Sequence, residues 1–379
     1  MKSYHQNIPL ATPTMHGDEM TYIQEAFDRN WVAPLGFNCD GFETEMNAYL
    51  NGTGNTDFFA LCLNAGTAAL HLAVKLAGIK PGDTVLCSDM TFIATVNPVA
   101  YEGGKQVFVD SERETWNMDP RALEKAFQKY PDAKVVVMAH LYGTPGKMNE
   151  IVEICKRHNA LLIEDAAEAL GSEYRGKKCG TFGQYNALSF NGNKIITTSG
   201  GGMLLCENAD DRKRALFWAT QAREPAPWYQ HEEMGYNYRM SNVVAGIGRA
   251  QLTHLDEHRE RKEKIYRRYQ EAFSDLPVSM NPYVADSKPN FWLSCMTVNP
   301  GMGVKPIEIL NRLKEHRIES RPIWKPMHMQ PIFDGYDLIT VGERSVGEDI
   351  FARGLCLPSD IKMTEEEQAY VVDIIKSCF

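Results

Sequence analysis

Short apolar runs that alternate with stretches of helical spacing constrain the fold of this 379-residue chain more than any other feature. Each run is four to six residues long and reads as a buried strand. The predicted strands cover residues 58–63, 84–87, 106–109, 134–138, 160–163, 186–190 and 202–205, with helical spacing over 67–77 after the first of them. Continuous apolar strands separated by helices are typical of a mostly parallel sheet covered on both faces. The sequence therefore predicts an α/β fold.

The charge pattern changes after about residue 242 and predicts a second domain. A long, charged helical stretch, rich in Arg, Lys and Glu, is predicted over residues 243–269. We expect it to link a large domain (residues 1–250) to a smaller C-terminal α/β domain (residues 251–379), a division that suits the chain length. The large domain begins with an arm that includes an amphipathic helix over residues 17–29 and that we expect to pack against the rest.

Charge and composition exclude several classes of partner. A net charge of −9 and a pI near 5.6 argue against a general nucleic-acid surface or an anionic-membrane surface. No apolar run approaches the roughly 20 residues that span a bilayer, and residues 1–14 lack the layout of a signal peptide. The nine cysteines are scattered without a CxxC pair, which favours reduced thiols in the cytoplasm over disulfides or a zinc site.

The histidines offer no metal-binding motif. His254 and His258 share a helical face, but no nearby carboxylate completes an HExxH pattern. We therefore expect these two side chains to be solvated and the protein to bind no metal.

Polar and small residues follow several of the predicted strands. These positions are residues 64–67, 89–92, 110, 140–142 and 165. Because ligands of parallel sheets bind beyond the carboxyl ends of the strands, we expect a binding site where these residues meet.

Lys194 and Asp165 carry the most specific chemistry of this set. Lys194 lies in a short loop, and Asp165 ends the strand predicted over 160–163. A lysine amine that loses its proton forms a Schiff base with an aldehyde, and an ionised aspartate holds a pyridine nitrogen protonated. These are the protein groups that pyridoxal phosphate needs to act as an electron sink. A surface lysine in a turn and a helix-capping aspartate are the alternative interpretation of the two residues taken singly.

Other residues supply contacts that such a cofactor requires. Gly66, Thr67 and Ala68 open a helix after a strand, where free N–H groups and the helix dipole suit a phosphate. Ser189 could add a hydroxyl to the same phosphate, and Phe92 could stack on a planar ring. A plain N-cap, a buried serine and a core aromatic are the respective alternatives.

Four blocks of sequence together carry a resemblance to a known family. They are residues 66–73, 89–95, 164–171 and 189–194, in this order and spacing. The set resembles the DegT/DnrJ/EryC1/StrS family of nucleotide-sugar aminotransferases, which are pyridoxal phosphate enzymes of fold type I. The resemblance extends from about residue 30 to residue 328 and implies a mostly parallel sheet in the large domain.

The resemblance implies a role for each matching residue. Lys194 would be the Schiff-base lysine that also shuttles protons, and Asp165 the acid on the pyridine nitrogen. The remaining matches are cofactor contacts: Glu168 near the phenolic oxygen, Phe92 on the ring, Gly66, Thr67, Ala68 and Ser189 around the phosphate, and Asn237 reaching the phosphate of the neighbouring subunit. The active sites would then lie at a homodimer interface. Because family members that act as dehydratases have histidine in place of Lys194, the chain resembles the aminotransferases.

The resemblance also suggests a substrate. Residues 321–328 most resemble the members that aminate C4 of UDP-4-keto-6-deoxy-N-acetylglucosamine, with L-glutamate as the amino donor. Cations suit a diphosphate, so Arg239, Lys325 and His328 are candidate substrate contacts, with a salt-bridged surface loop as the alternative. Enzymes that act on a GDP-linked keto-sugar or aminate C3 remain possible.

Two other functions stay open at the level of sequence. One is an ordinary amino-acid aminotransferase of the same fold, although its arginine for the substrate α-carboxylate cannot be assigned here. The other is a regulator that keeps the fold and senses a ligand. The presence of Asp165, Lys194 and the predicted phosphate cradle argues against a regulator.

Overall fold

The computed structural model of the protein describes residues 7–51 and 58–379. Residues 1–6 of the predicted arm lie outside the described residues. The helices are α1 (Glu19–Asp28), α2 (Phe37–Asn51), α3 (Gly66–Leu76), α4 (Asn97–Tyr101), α5 (Pro120–Lys129), α6 (Met148–Arg157), α7 (Ala209–Ala219), α8 (Asn242–Thr253), α9 (Leu255–Ala272), α10 (Pro306–Glu315), α11 (Val346–Arg353) and α12 (Glu365–Lys376). The strands are β1 (Phe59–Leu63), β2 (Thr84–Ser88), β3 (Lys105–Val109), β4 (Val135–Ala139), β5 (Leu161–Asp165), β6 (Glu173–Tyr174), β7 (Lys177–Lys178), β8 (Tyr185–Ser189), β9 (Gly202–Cys206), β10 (Val278–Met280), β11 (Ser287–Lys288), β12 (Ser294–Val298), β13 (Arg321–Pro322), β14 (Leu338–Ile339) and β15 (Gly354–Leu357).

The main sheet has the order β1-β9-β8-β5-β4-β2-β3-β14 in the described part of the chain. Its strands are parallel except for β9, which runs antiparallel to both β1 and β8. All seven strands predicted from the apolar runs are present, within two residues of their predicted ends. The predicted α/β fold with a mostly parallel sheet is therefore confirmed.

Both faces of the sheet are covered, which explains why its strands are apolar without alternation. In β4, Val135 and Val137 pack into one hydrophobic cluster, whereas Val136 and Met138 pack into the cluster on the opposite face. Successive side chains of a strand point to opposite faces, so a strand buried on both sides needs apolar residues at every position.

A close backbone approach fixes the start of α3 against β9. A Cβ atom built on Gly202 would lie 2.3 Å from the carbonyl carbon of Ala65 and 2.4 Å from the nitrogen of Gly66. Only glycine is compatible with this distance. The N-terminus of α3 is thereby held at the carboxyl end of β1.

A smaller antiparallel sheet has the order β10-β12-β15-β13 and a hydrophobic core of its own. Its core includes Ile265 and Tyr269 of α9, Ile309 of α10 and Val371 of α12. Two segments cross the predicted division at residue 250. Ile8 of the N-terminal arm packs in this core and forms a bridge to Ile318, and β14 completes the main sheet beside β3.

The helical stretch predicted over residues 243–269 is confirmed, and the structure divides it into two helices, α8 and α9, with a break at His254. The N–H of His254 donates to Gln251 O, three residues back, instead of the carbonyl four residues back. The break allows α8 to pack on α1 and α2, while α9 continues to the strands β10 and β12.

The expectation that His254 and His258 are both solvated is wrong for His258. His258 is 2% exposed, and its Nδ1 lies 2.7 Å from Ile195 O. His254 is half-buried, and its Nε2 lies 3.2 Å from Asp18 Oδ2. Among the described residues, no helix combines the length and the apolar character needed to cross a membrane.

Replacing Ile8 with Ala is expected to lower the free energy of unfolding by about 2–4 kcal/mol, because the change leaves a cavity in the hydrophobic core of the smaller sheet. Urea unfolding measures this difference. Ile307→Ala is the matched control, since Ile307 is 53% exposed on α10, and we expect it to cost less than about 0.5 kcal/mol. Equal effects of the two changes would contradict the placement of the arm in this core.

Candidate active site

A cavity of about 400 Å³ lies at the carboxyl ends of β1, β2, β4, β5 and β8. Its volume falls within the range of roughly 300–1,000 Å³ typical of small-molecule sites. The predicted residues that line it are Gly66, Thr67, Phe92, Asp165, Glu168, Ser189 and Lys194. The structure thus brings together residues that lie up to 128 positions apart in the chain, from Gly66 to Lys194.

Asp165 is held by two hydrogen bonds at the floor of the cavity. Thr95 Oγ1 donates to its Oδ2 at 2.6 Å, and the N–H of Ala167 donates to its Oδ1 at 3.0 Å. Burial raises the pKa of Asp165, whereas these hydrogen bonds and the charge of Lys194 favour the ionised form and limit the rise. The carboxylate is therefore ready to accept a cationic partner.

Glu168 and Lys194 form an ion pair inside the cavity. Lys194 Nζ donates to Glu168 Oε1 at 3.3 Å, and the N–H of Tyr142 donates to Oε2 at 2.7 Å. Burial raises the pKa of Glu168 to about 7, against the opposing effects of Lys194 and the Tyr142 N–H. Near neutral pH, Glu168 is therefore present in both its ionised and its protonated forms.

The N-terminus of α3 has the donor set of a phosphate site. Ala65 is the N-cap residue and makes no side-chain hydrogen bond to the first turn, so the N–H groups of Gly66 and Thr67 are not capped by it. Ser189 packs directly against this turn, since a Cβ on Gly66 would lie 2.9 Å from Ser189 Cβ. Ala68 is buried in the same turn and does not line the cavity. Its contact with a phosphate stays a prediction.

Three aromatic residues enclose the lysine, and the sequence analysis singled out only Phe92. Phe92 is 54% exposed, and its ring centroid lies 5.4 Å from that of Trp324. Lys194 Nζ lies 4.3 Å from the centroid of the buried Trp292 ring. Trp292 comes from the C-terminal third of the chain, and no local motif places it here, whereas Trp324 lies in the stretch 321–328 that resembles the substrate-binding part of the family. Thr95 was also missed, although it lies in a block that carries the family resemblance.

Asn237 lies beside the cavity rather than in it. Its side chain is exposed, and its backbone carbonyl accepts a hydrogen bond from Asn64 Nδ2 at 3.1 Å. Asn64 itself lines the cavity. The predicted reach of Asn237 into a neighbouring subunit stays a prediction.

Arg239 lies away from the cavity with its guanidinium buried in an ion pair, and this position gives no support to its predicted substrate contact. Nη1 donates to Glu43 Oε1 at 2.9 Å and to Cys62 O at 3.0 Å. Its side chain is 3% exposed and does not line the cavity. Arg239 instead joins α2 to the end of β1.

Lys325 and His328 lie outside the cavity lining. His328 bridges two acids, with Nδ1 2.7 Å from Asp89 Oδ2 and Nε2 3.0 Å from Glu348 Oε1. Burial alone would lower the pKa of His328, but hydrogen bonds to the two carboxylates raise it. Lys325 is half-buried. The substrate contacts proposed for these two residues stay predictions.

The residues present fit the cofactor predicted from the sequence. An acidic group, an amine, an aromatic ring and an uncapped helix N-terminus converge on one cavity, and the glycine at position 66 leaves room where a side chain would collide with Ser189. Gly66, Thr67 and Ser189 could hold a phosphate, Phe92 a ring face, and Asp165 a ring nitrogen. These are the positions at which pyridoxal phosphate needs protein partners.

Comparison with known proteins agrees with this donor set. The model of the DegT/DnrJ/EryC1/StrS aminotransferase family matches residues 13–376. The chain is 46% identical to "Putative pyridoxal phosphate-dependent aminotransferase EpsN" of Bacillus subtilis (strain 168), over 99% of this chain and 96% of that protein. It is 34% identical to the GDP-perosamine synthase of Escherichia coli O157:H7, over 98% of each chain. A family aminotransferase from Brucella abortus has a similar structure, with a TM-score of 0.86, 26% identity and 95% coverage of both chains.

Replacing Glu168 with Gln is expected to remove a pH-dependent destabilisation of the cofactor-free protein. The pKa of Glu168 is about 7 when folded and ordinarily 4.5, so the folded chain binds more protons than the unfolded chain between these values. Its free energy of unfolding therefore falls as the pH rises through this window. The Gln variant lacks this effect, so its stability relative to the unmutated protein should rise by on the order of 2–3 kcal/mol from pH 4.5 to pH 7.

Urea unfolding at several pH values measures this difference. Glu260→Gln, at an exposed position of α9, is the control and should leave the pH profile unchanged. Parallel profiles of the Glu168 variant and the unmutated protein would contradict the raised pKa.

Replacing Arg239 with Met is expected to lower the free energy of unfolding by about 3 kcal/mol, because it leaves one contact of a buried carboxylate unmet. Arg121→Met is the matched control, since the Arg121 side chain is 72% exposed in its ion pair with Asp119 and should cost less than about 1 kcal/mol. Denaturant titration compares the two. An Arg239 variant as stable as the control would argue against the structural role.

Proposed function

Because the chain belongs to the DegT/DnrJ/EryC1/StrS aminotransferase family, we propose that it transfers an amino group from L-glutamate to the C4 keto group of a nucleotide-linked 4-keto-6-deoxy sugar. The resemblance stated from the sequence is thus confirmed at the level of the family. One observation carries the proposal: Lys194 Nζ lies in a cavity with two acids, Asp165 and Glu168, beside an uncapped helix N-terminus.

The protein is a pyridoxal phosphate-dependent enzyme, as the family and the fit of the cavity indicate. When bound, the cofactor supplies an aldehyde for a lysine and a ring that takes up electrons from the substrate α-carbon. Asp165, fixed by Thr95 and the Ala167 N–H, would hold a proton on the ring nitrogen. The uncapped turn at Gly66 and Thr67, with Ser189, would hold the phosphate.

Lys194 is the residue that would move protons. Its Nζ, once free, is the amine in the cavity that could take the proton of a substrate carbon and return it. Glu168 accepts a hydrogen bond from that amine and, with a pKa of about 7, could share its proton. Trp292 borders the amine and limits the access of water from that side.

For the sugar, we favour a UDP-linked 4-keto-6-deoxy-N-acetylhexosamine, used to build bacterial glycan or polysaccharide. Residues 321–328 support this choice through their resemblance to members that aminate that substrate. Lys325 is the cation of the stretch for which the described residues supply no ion-pair partner, so it remains a candidate for a diphosphate contact. Arg321, in contrast, pairs with Glu319.

A GDP-linked 4-keto-6-deoxy sugar is the second candidate. The observation that favours it is the 34% identity to a GDP-perosamine synthase over nearly the whole of both chains. The two candidates share the sugar carbon at which the amine is added and differ in the nucleotide and in the substituent at C2.

We also propose that the enzyme acts as a homodimer in the cytoplasm. The exposed side chain of Asn237 beside the cavity-lining Asn64 supports a shared site. The nine cysteines are unpaired, which supports a reducing compartment. A regulator without catalysis is disfavoured by the ion pair of Lys194 with Glu168 beside Asp165, a costly arrangement that ligand sensing does not require.

Mass-spectrometric detection of the aminated sugar tests the proposal. The protein, pyridoxal phosphate and L-glutamate are incubated with either the UDP-linked or the GDP-linked keto-sugar. We expect a 4-amino product from the UDP-linked sugar at a rate at least ten times that from the GDP-linked sugar, and a loss of about 10²-fold or more in Lys194→Ala.

Each outcome has a separate meaning. Product from the GDP-linked sugar alone would replace the first candidate with the second. Failure with both sugars, from a protein that still converts glutamate to 2-oxoglutarate, would reject the sugar and keep the aminotransferase. A protein that binds the cofactor and converts neither substrate would favour the regulator.

A further inference from the structure

Helix α9 carries two buried polar residues one turn apart on the face behind the Lys194 loop. His258 is 2% exposed and Lys262 is 6% exposed. Residues four positions apart lie on the same side of a helix. Both side chains border a small internal space that also contacts Asn193, Lys194 and Ile195.

His258 holds the backbone carbonyl of Ile195, the residue that follows Lys194. Its Nδ1 lies 2.7 Å from Ile195 O, and because a carbonyl only accepts, Nδ1 carries the proton. In the neutral ring, Nε2 is then an acceptor, and it lies 2.8 Å from Nε2 of His16 in the N-terminal arm. His16 therefore donates to His258 and fixes its tautomer.

Lys262 supports Asn193, the residue before Lys194, through Trp292. Its Nζ donates to Trp292 O at 3.0 Å and to Ser359 O at 2.6 Å. The indole Nε1 of Trp292 donates to Asn193 O at 2.7 Å. The same indole ring lies 4.3 Å from Lys194 Nζ.

The carbonyls of the two residues that flank Lys194 are therefore linked to α9, that of Ile195 directly by His258 and that of Asn193 through Trp292 and Lys262. Within its own loop, the Lys194 backbone has the turn hydrogen bond from its N–H to Asn191 O, and Asn191 and Asn193 are exposed. A loop this exposed needs outside contacts to keep one conformation. We call residues 193–195 the lysine segment.

We propose that His258 and Lys262 are positioning residues that brace the lysine segment from behind, with His16 of the arm completing the brace. The proposal rests on the proposed function, in which Lys194 must leave its covalent bond and return as a proton carrier. A free amine on an unbraced segment samples more positions, and a displacement of about 1 Å can cost about 10²-fold in rate. The brace therefore acts on the proton-transfer step rather than on substrate binding.

His258→Leu and His258→Asn separate positioning from general stability. Leucine lacks a donor, whereas the asparagine Nδ2 group occupies the place of the imidazole Nδ1–H and can donate to Ile195 O. Asparagine does not reach His16, so rescue would isolate the contact with the lysine segment. His254→Asn is the matched control, because the described partners of the His254 ring are His16, with centroids 3.6 Å apart, Asp18 and Glu257, all outside the segment.

The holoenzyme of each variant is studied in the half-reaction with L-glutamate, with a chelator present because His16, His254 and Glu257 could together bind a metal ion. We expect His258→Leu to lower kcat about 10- to 100-fold with KM changed less than about twofold. His258→Asn should recover to within about threefold of the unmutated enzyme, and His254→Asn should match it.

Hydrogen exchange of the cofactor-loaded protein supplies a readout independent of turnover. Amide exchange over residues 191–197 should accelerate in His258→Leu and in Lys262→Met, and stay slow in His258→Asn and His254→Asn. The visible absorbance of the cofactor bound to Lys194 reports its loading in every variant.

Two results would overturn the proposal. One is equal kinetics for His258→Leu and His258→Asn, and the other is unchanged exchange over residues 191–197 in both His258→Leu and Lys262→Met. If the sugar of the proposed function is wrong, the glutamate half-reaction and the exchange measurement still test whether His258 and Lys262 position the lysine segment. If the protein converts no glutamate, the exchange measurement alone tests the brace, and the proposed function fails separately.

Discussion

The ammonium of Lys194 and the carboxyl of Glu168 lie 3.3 Å apart where little water reaches them, and the surrounding structure makes this possible. Burying charged groups costs free energy unless each one has partners. The Tyr142 N–H binds the second oxygen of Glu168, and Thr95 and the Ala167 N–H bind Asp165. The sheet, the loop and the aromatic residues can therefore be understood as support for one amine among two acids.

Those parts of the fold and of the site that depend on neighbouring residues in the sequence were predictable. The apolar runs revealed β4 and its neighbours because burial on both faces leaves no other pattern, and Gly66, Asp165 and Lys194 followed from positions relative to strand ends. Contacts between distant segments left no such signal. Trp292 approaches Lys194 from 98 positions away, and Arg239 meets Glu43 across 196 positions. The break at His254 was hidden because no glycine or proline marks it, and residues of helical character continue on both sides.

The fate of the three cations expected at the substrate illustrates the same limit. Arg239 lies in a buried pair that joins α2 to β1, and His328 bridges Asp89 and Glu348. A cation near a sheet edge is as useful for joining elements as for binding a phosphate, and its residue type does not distinguish the two uses. Burial and partners do distinguish the two uses for Arg239, whereas the substrate contacts of Lys325 and His328 stay predictions.

The last strand of the main sheet, β14, comes from residues near the end of the chain and lies beside β3. During synthesis, β3 therefore remains an open edge of the main sheet until residue 339 has left the ribosome. Ile8 likewise has no hydrophobic partners until the core of the smaller sheet has formed. Open sheet edges promote pairing between chains. A nascent chain thus depends on residues 338–339 to close the sheet edge that β3 leaves open more than 200 positions earlier.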